Sequence, residues 1–92
     1  MSRENFNTVL SLFQSSSALR CNEVMKALRS LGFEVRDGSN GGHKIFVHDQ
    51  LKGFISSSFN CDHGKNPQIK AIYIKKIRKI LEEYSEELSK MG

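Results

Sequence analysis

The chain carries three imidazoles, His43, His48 and His63, and a late cluster of cations, Lys70, Lys75, Lys76, Arg78 and Lys79. Imidazole takes or gives a proton near neutral pH, and ammonium groups hold phosphates, so the two sets together suit proton transfer on a polyanion. Metal-free RNA cleavage needs a base for the 2′-hydroxyl proton and an acid for the leaving oxygen, and imidazole serves as either. A lone histidine is more often a satisfied structural residue than a catalyst, so placement has to carry the argument. His43 and His48 bracket one strand-like run, and His63 lies in the loop after the next, which would let a compact meander bring two of them together.

His43 ends the stretch "DGSNGGHKIF", residues 37–46, in which three glycines, Ser39 and Asn40 fall within six positions. That loop reads first as a hairpin turn, and it lacks the lysine and the spacing of a phosphate-binding loop. In a regular strand His43 shares a face with Ile45 and Val47, while Lys44, Phe46 and His48 share the other. If Ile45 and Val47 point to the core, His43 sits at its rim; a bulge in the glycine loop would re-aim it. Lys44 beside Phe46 could meet a single-stranded base by charge and stacking, although an aromatic that covers the sheet is the ordinary outcome for such a pair.

In the final helical segment the cations come first, with Glu82, Glu83, Glu86 and Glu87 after them. This opposes the helix dipole, which favours anions near the start and cations near the end. Two readings stay open: a concentration of positive potential for a phosphate, or a solvated face with Lys-Glu pairs such as Lys79 with Glu83.

The elements that must position these groups follow from periodicity. Phe6, Val9, Leu10 and Phe13 form the apolar stripe of a first helix, over residues 3–14. Val24, Met25, Leu28 and Leu31 repeat it in a second helix, with Asn22 as N-cap and Gly32 at the left-handed C-terminal position. Residues 33–36, 43–48 and 54–59 read as three strands of an antiparallel meander. Pro67 then breaks the chain or opens the next helix, and Tyr73, Ile77, Ile80, Leu81, Tyr84 and Leu88 hold one face of a long one. The order helix, helix, three strands, helix predicts an α+β domain with helices on one face of a small sheet.

Composition narrows the function classes. At 92 residues, with 38% hydrophobic and 26% charged residues, the chain suits one globular domain. The formal charge is +4 and the pI about 9.3, which leans toward a polyanionic partner. No apolar run approaches the roughly 18–20 residues that span a bilayer, and the N-terminus has no signal-like apolar block, so a cytoplasmic protein is expected. Cys21 and Cys61, 40 positions apart, fit neither a disulfide framework nor paired zinc spacing, and two reduced, packed thiols are expected. A zinc set of Cys21, Cys61, His63 and another histidine is possible by residue type, but no spacing supports it. No serine-hydrolase arrangement is visible.

Taken together, "VMKALRSLGFEVRDGSNGGHKIFVH" and "CDHGKNPQIKAIYIKKIRKIL" resemble the HicA family of bacterial toxins, the RNA-cleaving halves of HicA and HicB toxin-antitoxin pairs. The signs are the leucine-rich helix ending in Leu31-Gly32-Phe33, the Gly38-Ser39 then His43 element followed by Phe46 and His48, and the lysine-bearing last helix. The resemblance covers about residues 20–82, and residues 1–16 look like the extension of longer members, on a single domain whose core spans 20–90. It implies a double-stranded-RNA-binding-domain-like fold and a small, cofactor-free endoribonuclease that cleaves messenger RNA. His43 would be catalytic, and a HicB-type antitoxin would cover it. Family members often carry the histidine directly after the glycine-serine pair, whereas Asn40, Gly41 and Gly42 intervene here, so the aim of His43 is the point for the structure to decide.

The expectation is therefore a metal-independent endoribonuclease toxin with His43 as general base or acid. Lys44, Lys70, Lys75, Lys76 and Lys79 would bind RNA, with Ser39, His48 and His63 as supporting residues. The alternatives are a noncatalytic RNA-binding module of the same fold and a protein-interaction domain with no RNA role.

Overall fold

The chain runs α1 (Ser2–Ser15), β1 (Leu19–Arg20), α2 (Cys21–Ser30), β2 (Glu34–Asp37), β3 (His43–Val47), β4 (Ser57–Asn60), β5 (Gln68–Ile69), α3 (Ala71–Glu83) and α4 (Ser85–Lys90). This is a computed structural model, and it describes residues 2–16, 18–38, 42–62, 64–65 and 67–90. The architecture is α+β, with the three-stranded antiparallel sheet β2-β3-β4 as expected. A second, two-stranded sheet, β1-β5, has no counterpart in the sequence reading because two-residue strands carry no periodicity.

Register decides which face of the meander is buried. Val35 pairs with Phe46, and Lys44 with Phe59, so Val35, Phe46 and Phe59 project to one face. All three are buried, in one cluster with Phe6, Val9 and Phe13 of α1, Val24 and Leu28 of α2, and Ile74, Ile77 and Leu81 of α3. Each fully buried aliphatic or aromatic side chain contributes about 1.5–3 kcal/mol. The helices thus cover the Phe46 face, while Ile45 and Val47 are only half-buried on the other. Of the two options for Phe46, covering the sheet is the one realised, since its ring is fully buried against Phe33, Phe54 and Phe59.

Helix α2 ends as the sequence predicts. Gly32 has φ of 94°, its N–H donates to the Arg29 carbonyl, and the Phe33 N–H donates to the Leu28 carbonyl. These two bonds form a Schellman closure, which needs a left-handed residue. The start differs: α2 begins at Cys21, so Arg20 rather than Asn22 is the N-cap, and the Glu23 carboxylate accepts from the Arg20 N–H at 2.9 Å. The third strand lies at 57–60 instead of 54–59, because Phe54 turns into the aromatic core. The long last helix is interrupted at one residue, Tyr84, yet its N–H still donates to the Ile80 carbonyl at 3.0 Å.

The two thiols correct the sequence reading. Cys21 and Cys61 form a disulfide, with Cα atoms 5.7 Å apart. Three contacts bring them together: the β1-β5 ladder, the bridge from Cys61 to Ile69, and the Cys21 N–H bonded to the Pro67 carbonyl at 2.7 Å. The first residue of α2 and the residue after β4 therefore meet over β5. Sequence spacing misses such a pair because the contact is made by strands too short to read. Among the described residues no group of three or more metal-ligating side chains occurs, and no helix is long and apolar enough to cross a membrane.

Candidate functional site

His43 is the first residue of β3, and the register places it directly opposite Asn60, the last residue of β4. Directly opposed residues of an antiparallel pair carry side chains close enough to touch. Here the His43 Nδ1 lies 2.8 Å from the Asn60 carboxamide oxygen. That oxygen can only accept, so Nδ1 carries the proton and the lone pair of the neutral ring sits on Nε2. The Asn60 amide nitrogen in turn donates to the Tyr73 hydroxyl at 3.1 Å. Tyr73 lies in the first turn of α3, and that helix is anchored to the same strand by Lys76, whose ammonium donates to the Ser58 carbonyl at 2.8 Å. The Lys76 ammonium also sits 6.0 Å from the centre of the Tyr73 ring. The result is a set gathered at the β4 edge of the sheet: a half-buried imidazole bonded to an amide, the amide bonded to a phenol, and an exposed cation next to the phenol ring.

The glycines flanking the loop make this fit possible. The Gly38 N–H donates to the His43 carbonyl at 2.8 Å, closing the base of the β2-β3 hairpin, and a Cβ on Gly38 would overlap the His43 ring. A Cβ on Gly42 would overlap the Cys61 carbonyl, whose own residue donates its N–H to Gly42 at 2.7 Å. The approach at Gly42 is to backbone and only glycine allows it, whereas at Gly38 a side chain would have to displace the His43 ring.

The remaining sequence candidates part company. His48 is 5% exposed, its Nε2 is 3.0 Å from the Leu31 carbonyl, and its Nδ1 accepts from the Gln50 N–H at 3.2 Å. Both nitrogens are occupied by backbone, on the pleat opposite to His43 and about 16 Å along the strand at roughly 3.3 Å per residue. It cannot be the proton partner of His43. His63 and Ser39 lie outside the described residues, as do Asn40 and Gly41.

Lys44 points to the opposite pleat from His43, with its side chain 16% exposed and its ammonium paired with Asp37 at 2.5 Å. That hydrogen bond, and then the charge behind it, holds the Asp37 carboxyl below the usual aspartate range. Lys70 is the N-cap residue of α3, and Lys70, Lys75, Lys76 and Lys79 are all exposed. At about 100° per residue, Lys75 lies roughly a quarter-turn further round α3 than Lys76. It faces a cavity of about 400 Å³ that it lines with Arg78 and the end of α1. Lys76 is the cation that the structure brings to the β4 edge beside Tyr73, the partner of Asn60.

Asn60 and Tyr73 were missed from sequence. The expected third strand stopped one residue short of Asn60, and Tyr73 read as part of the apolar stripe. The signal that would have found Asn60 is the register itself, which becomes readable once Phe59 is recognised as the inward residue opposite Lys44.

No curated protein and no solved structure matches the chain. A family model described as HicA toxin of bacterial toxin-antitoxin matches residues 21–83, from the first residue of α2 to the last of α3, with His43, Asn60 and Tyr73 inside it. That match takes in well over half of the chain, and the chain belongs to the HicA toxin family.

Proposed function

We propose that this toxin is an endoribonuclease that cuts messenger RNA in the cytoplasm, with His43 as the catalytic histidine and no metal in the step. A HicB-type antitoxin would silence it by covering that histidine. Nε2 of His43 takes the proton of a ribose 2′-hydroxyl, the 2′-oxygen bonds to the adjacent phosphorus, and the bond from phosphorus to the 5′-oxygen breaks. The leaving oxygen takes up one proton, and the imidazolium just formed is its donor, so the ring ends neutral. Lys76 holds the phosphate nearest the ring, while Lys70, Lys75 and Lys79 hold its neighbours along the strand. Lys44 contributes only after giving up Asp37.

One observation carries the reading. His43 is half-buried, its Nδ1 is fixed by Asn60, whose amide reaches the Tyr73 hydroxyl next to the exposed Lys76, and its Nε2 has no partner among the described residues. The test compares wild type with His43→Ala on purified messenger RNA in the presence of EDTA, and on cell growth after induction. We expect cleavage at least about 100-fold slower in the variant, as befits loss of an acid-base group, and loss of toxicity. Equal cleavage by both would sink the assignment of His43. Binding to RNA by both that weakens steeply with salt, with cleavage by neither, would select the noncatalytic RNA-binding module.

A further inference from the structure

We infer that Asn60, held by Tyr73, is a positioning residue that sets the tautomer of His43 and so aims its proton-accepting nitrogen outward. The inference rests on the proposed role of His43 and assigns what regulates that ring.

The argument starts from the hydrogen-bonding capacity of each group. A carboxamide can turn either its oxygen or its nitrogen toward an imidazole, and the two choices select opposite tautomers. With the oxygen facing Nδ1, as here, the neutral ring is protonated on Nδ1 and bare on Nε2. With the amide nitrogen facing Nδ1, the lone pair would be consumed inside the protein and Nε2 would carry a hydrogen. Tyr73 steadies the orientation observed, its hydroxyl accepting from the Asn60 nitrogen at 3.1 Å while the oxygen faces the ring; a phenol can also donate, so it anchors the amide and the ring contact itself defines the choice.

The three groups come from three elements, β3, β4 and α3, so the arrangement depends on the fold and is not a local turn. Asn60 is also held at its backbone: Cys61, the next residue, is paired with Gly42 and tied to α2 by the disulfide. An amide orients the ring without bringing charge, whereas a carboxylate in its place would stabilise the imidazolium. Neutral orientation is what a base that must be unprotonated before the step requires. Among the described residues, the titratable and charged groups linked to the ring are Tyr73, reached through Asn60, and Lys76 next to the Tyr73 ring, both on α3, while the Lys44–Asp37 pair occupies the adjoining rung on the opposite pleat.

The deciding experiment is nitrogen-15 NMR of the histidine rings together with steady-state cleavage kinetics. In wild type, neutral His43 should show the Nδ1–H pattern, while His48, whose Nε2 donates to the Leu31 carbonyl, shows the opposite one and serves as internal control. Asn60→Ala should shift His43 toward the Nε2–H form, leave His48 unchanged, and lower kcat by about 10- to 100-fold, part of the roughly 10²–10⁴ that a positioned acid-base supplies. KM should move by less than about twofold, since substrate binding is untouched.

Tyr73→Phe keeps the ring that packs beside Lys76 and removes only the hydroxyl, so it should shift the tautomer in the same direction by a smaller amount. Asn60→Asp restores an acceptor for Nδ1–H. It should recover most of kcat and move the acidic limb of the pH profile upward, a change that a purely structural residue would not produce. An Nε2–H pattern for His43 in wild type, a tautomer indifferent to Asn60→Ala, or no recovery in Asn60→Asp would each overturn the inference. Cleavage that survives His43→Ala would instead overturn the catalytic reading while leaving the tautomer assignment standing.

Discussion

His43 and His48 stand five residues apart on one strand run and have opposite fates. His48 donates from Nε2 to the Leu31 carbonyl, accepts at Nδ1 from the Gln50 N–H, and packs perpendicular to the Phe33 ring with ring centres 4.8 Å apart. His43 donates from Nδ1 to a side chain on the neighbouring strand, and no described residue meets its Nε2. The two neutral rings are therefore opposite tautomers. An odd spacing on a pleated strand sends one imidazole to the covered face and the other to the open one, where an acid-base group can reach a substrate. Residue type alone cannot separate a catalyst from a structural histidine, and the partner of each ring nitrogen does.

The largest way to break the comparison is to delete the buried ring. His48→Ala leaves a cavity beside Phe33 and strips the Leu31 carbonyl of its donor, so stability should fall by about 2–4 kcal/mol in urea unfolding. Cleavage by the fraction still folded should be unchanged. His43→Ala should do the reverse, with unfolding moved by no more than about 0.5 kcal/mol. Loss of specific activity in folded His48→Ala would show that the two faces are not independent.

Each histidine also has a glycine against it, which sharpens the contrast at a smaller scale. A Cβ on Gly32 would lie 2.8 Å from the His48 Nε2, and the φ of 94° already disfavours any side chain. Gly32→Ala should cost about 1–2 kcal/mol for the left-handed backbone alone. A Cβ on Gly38 would overlap the His43 ring, which is half-exposed and free to swing aside. Gly38→Ala should leave stability within about 0.5 kcal/mol of wild type but slow cleavage by about tenfold, because a displaced base no longer lines up with its proton. Equal stability loss in both variants would mean that the His43 ring is as rigidly packed as His48.

The same contrast marks what was legible in the sequence. Strong periodicity gave the faces of α1, α2 and α3, and the Gly32 closure followed from the residue that must be left-handed there. Strand alternation correctly separated His43 from His48. What failed was everything set by pairing across distance. The Asn60 rung, the Cys21–Cys61 disulfide and the β1-β5 ladder all arise where short segments with no periodic signal meet. Of the histidine pairs that a meander could have brought together, a regular strand holds His43 and His48 apart, and His63 lies outside the described residues. Lys44 was readable as a cation next to the histidine, but its partner Asp37 depends on the register of the β2-β3 hairpin, in which the two residues are opposite each other.

That ion pair supplies the smallest effect, and its sign is fixed. The hydrogen bond from Lys44 holds the Asp37 carboxyl below the ordinary aspartate value in the folded protein. A depressed folded value means that the contribution to stability is present above the unfolded value and is lost as pH falls through the folded one. Asp37→Asn should therefore unfold at slightly lower urea than wild type at pH 7, and the two midpoints should converge as pH falls through the depressed folded value and the carboxylate is protonated. The pair is exposed on the Asp37 side, so added salt should narrow the gap at pH 7 as well. A difference that does not narrow as pH is lowered would assign the effect to packing at the hairpin base. In that case Lys44 would be held on its pleat by its partly covered stem, and its distance from the His43 face would not depend on charge.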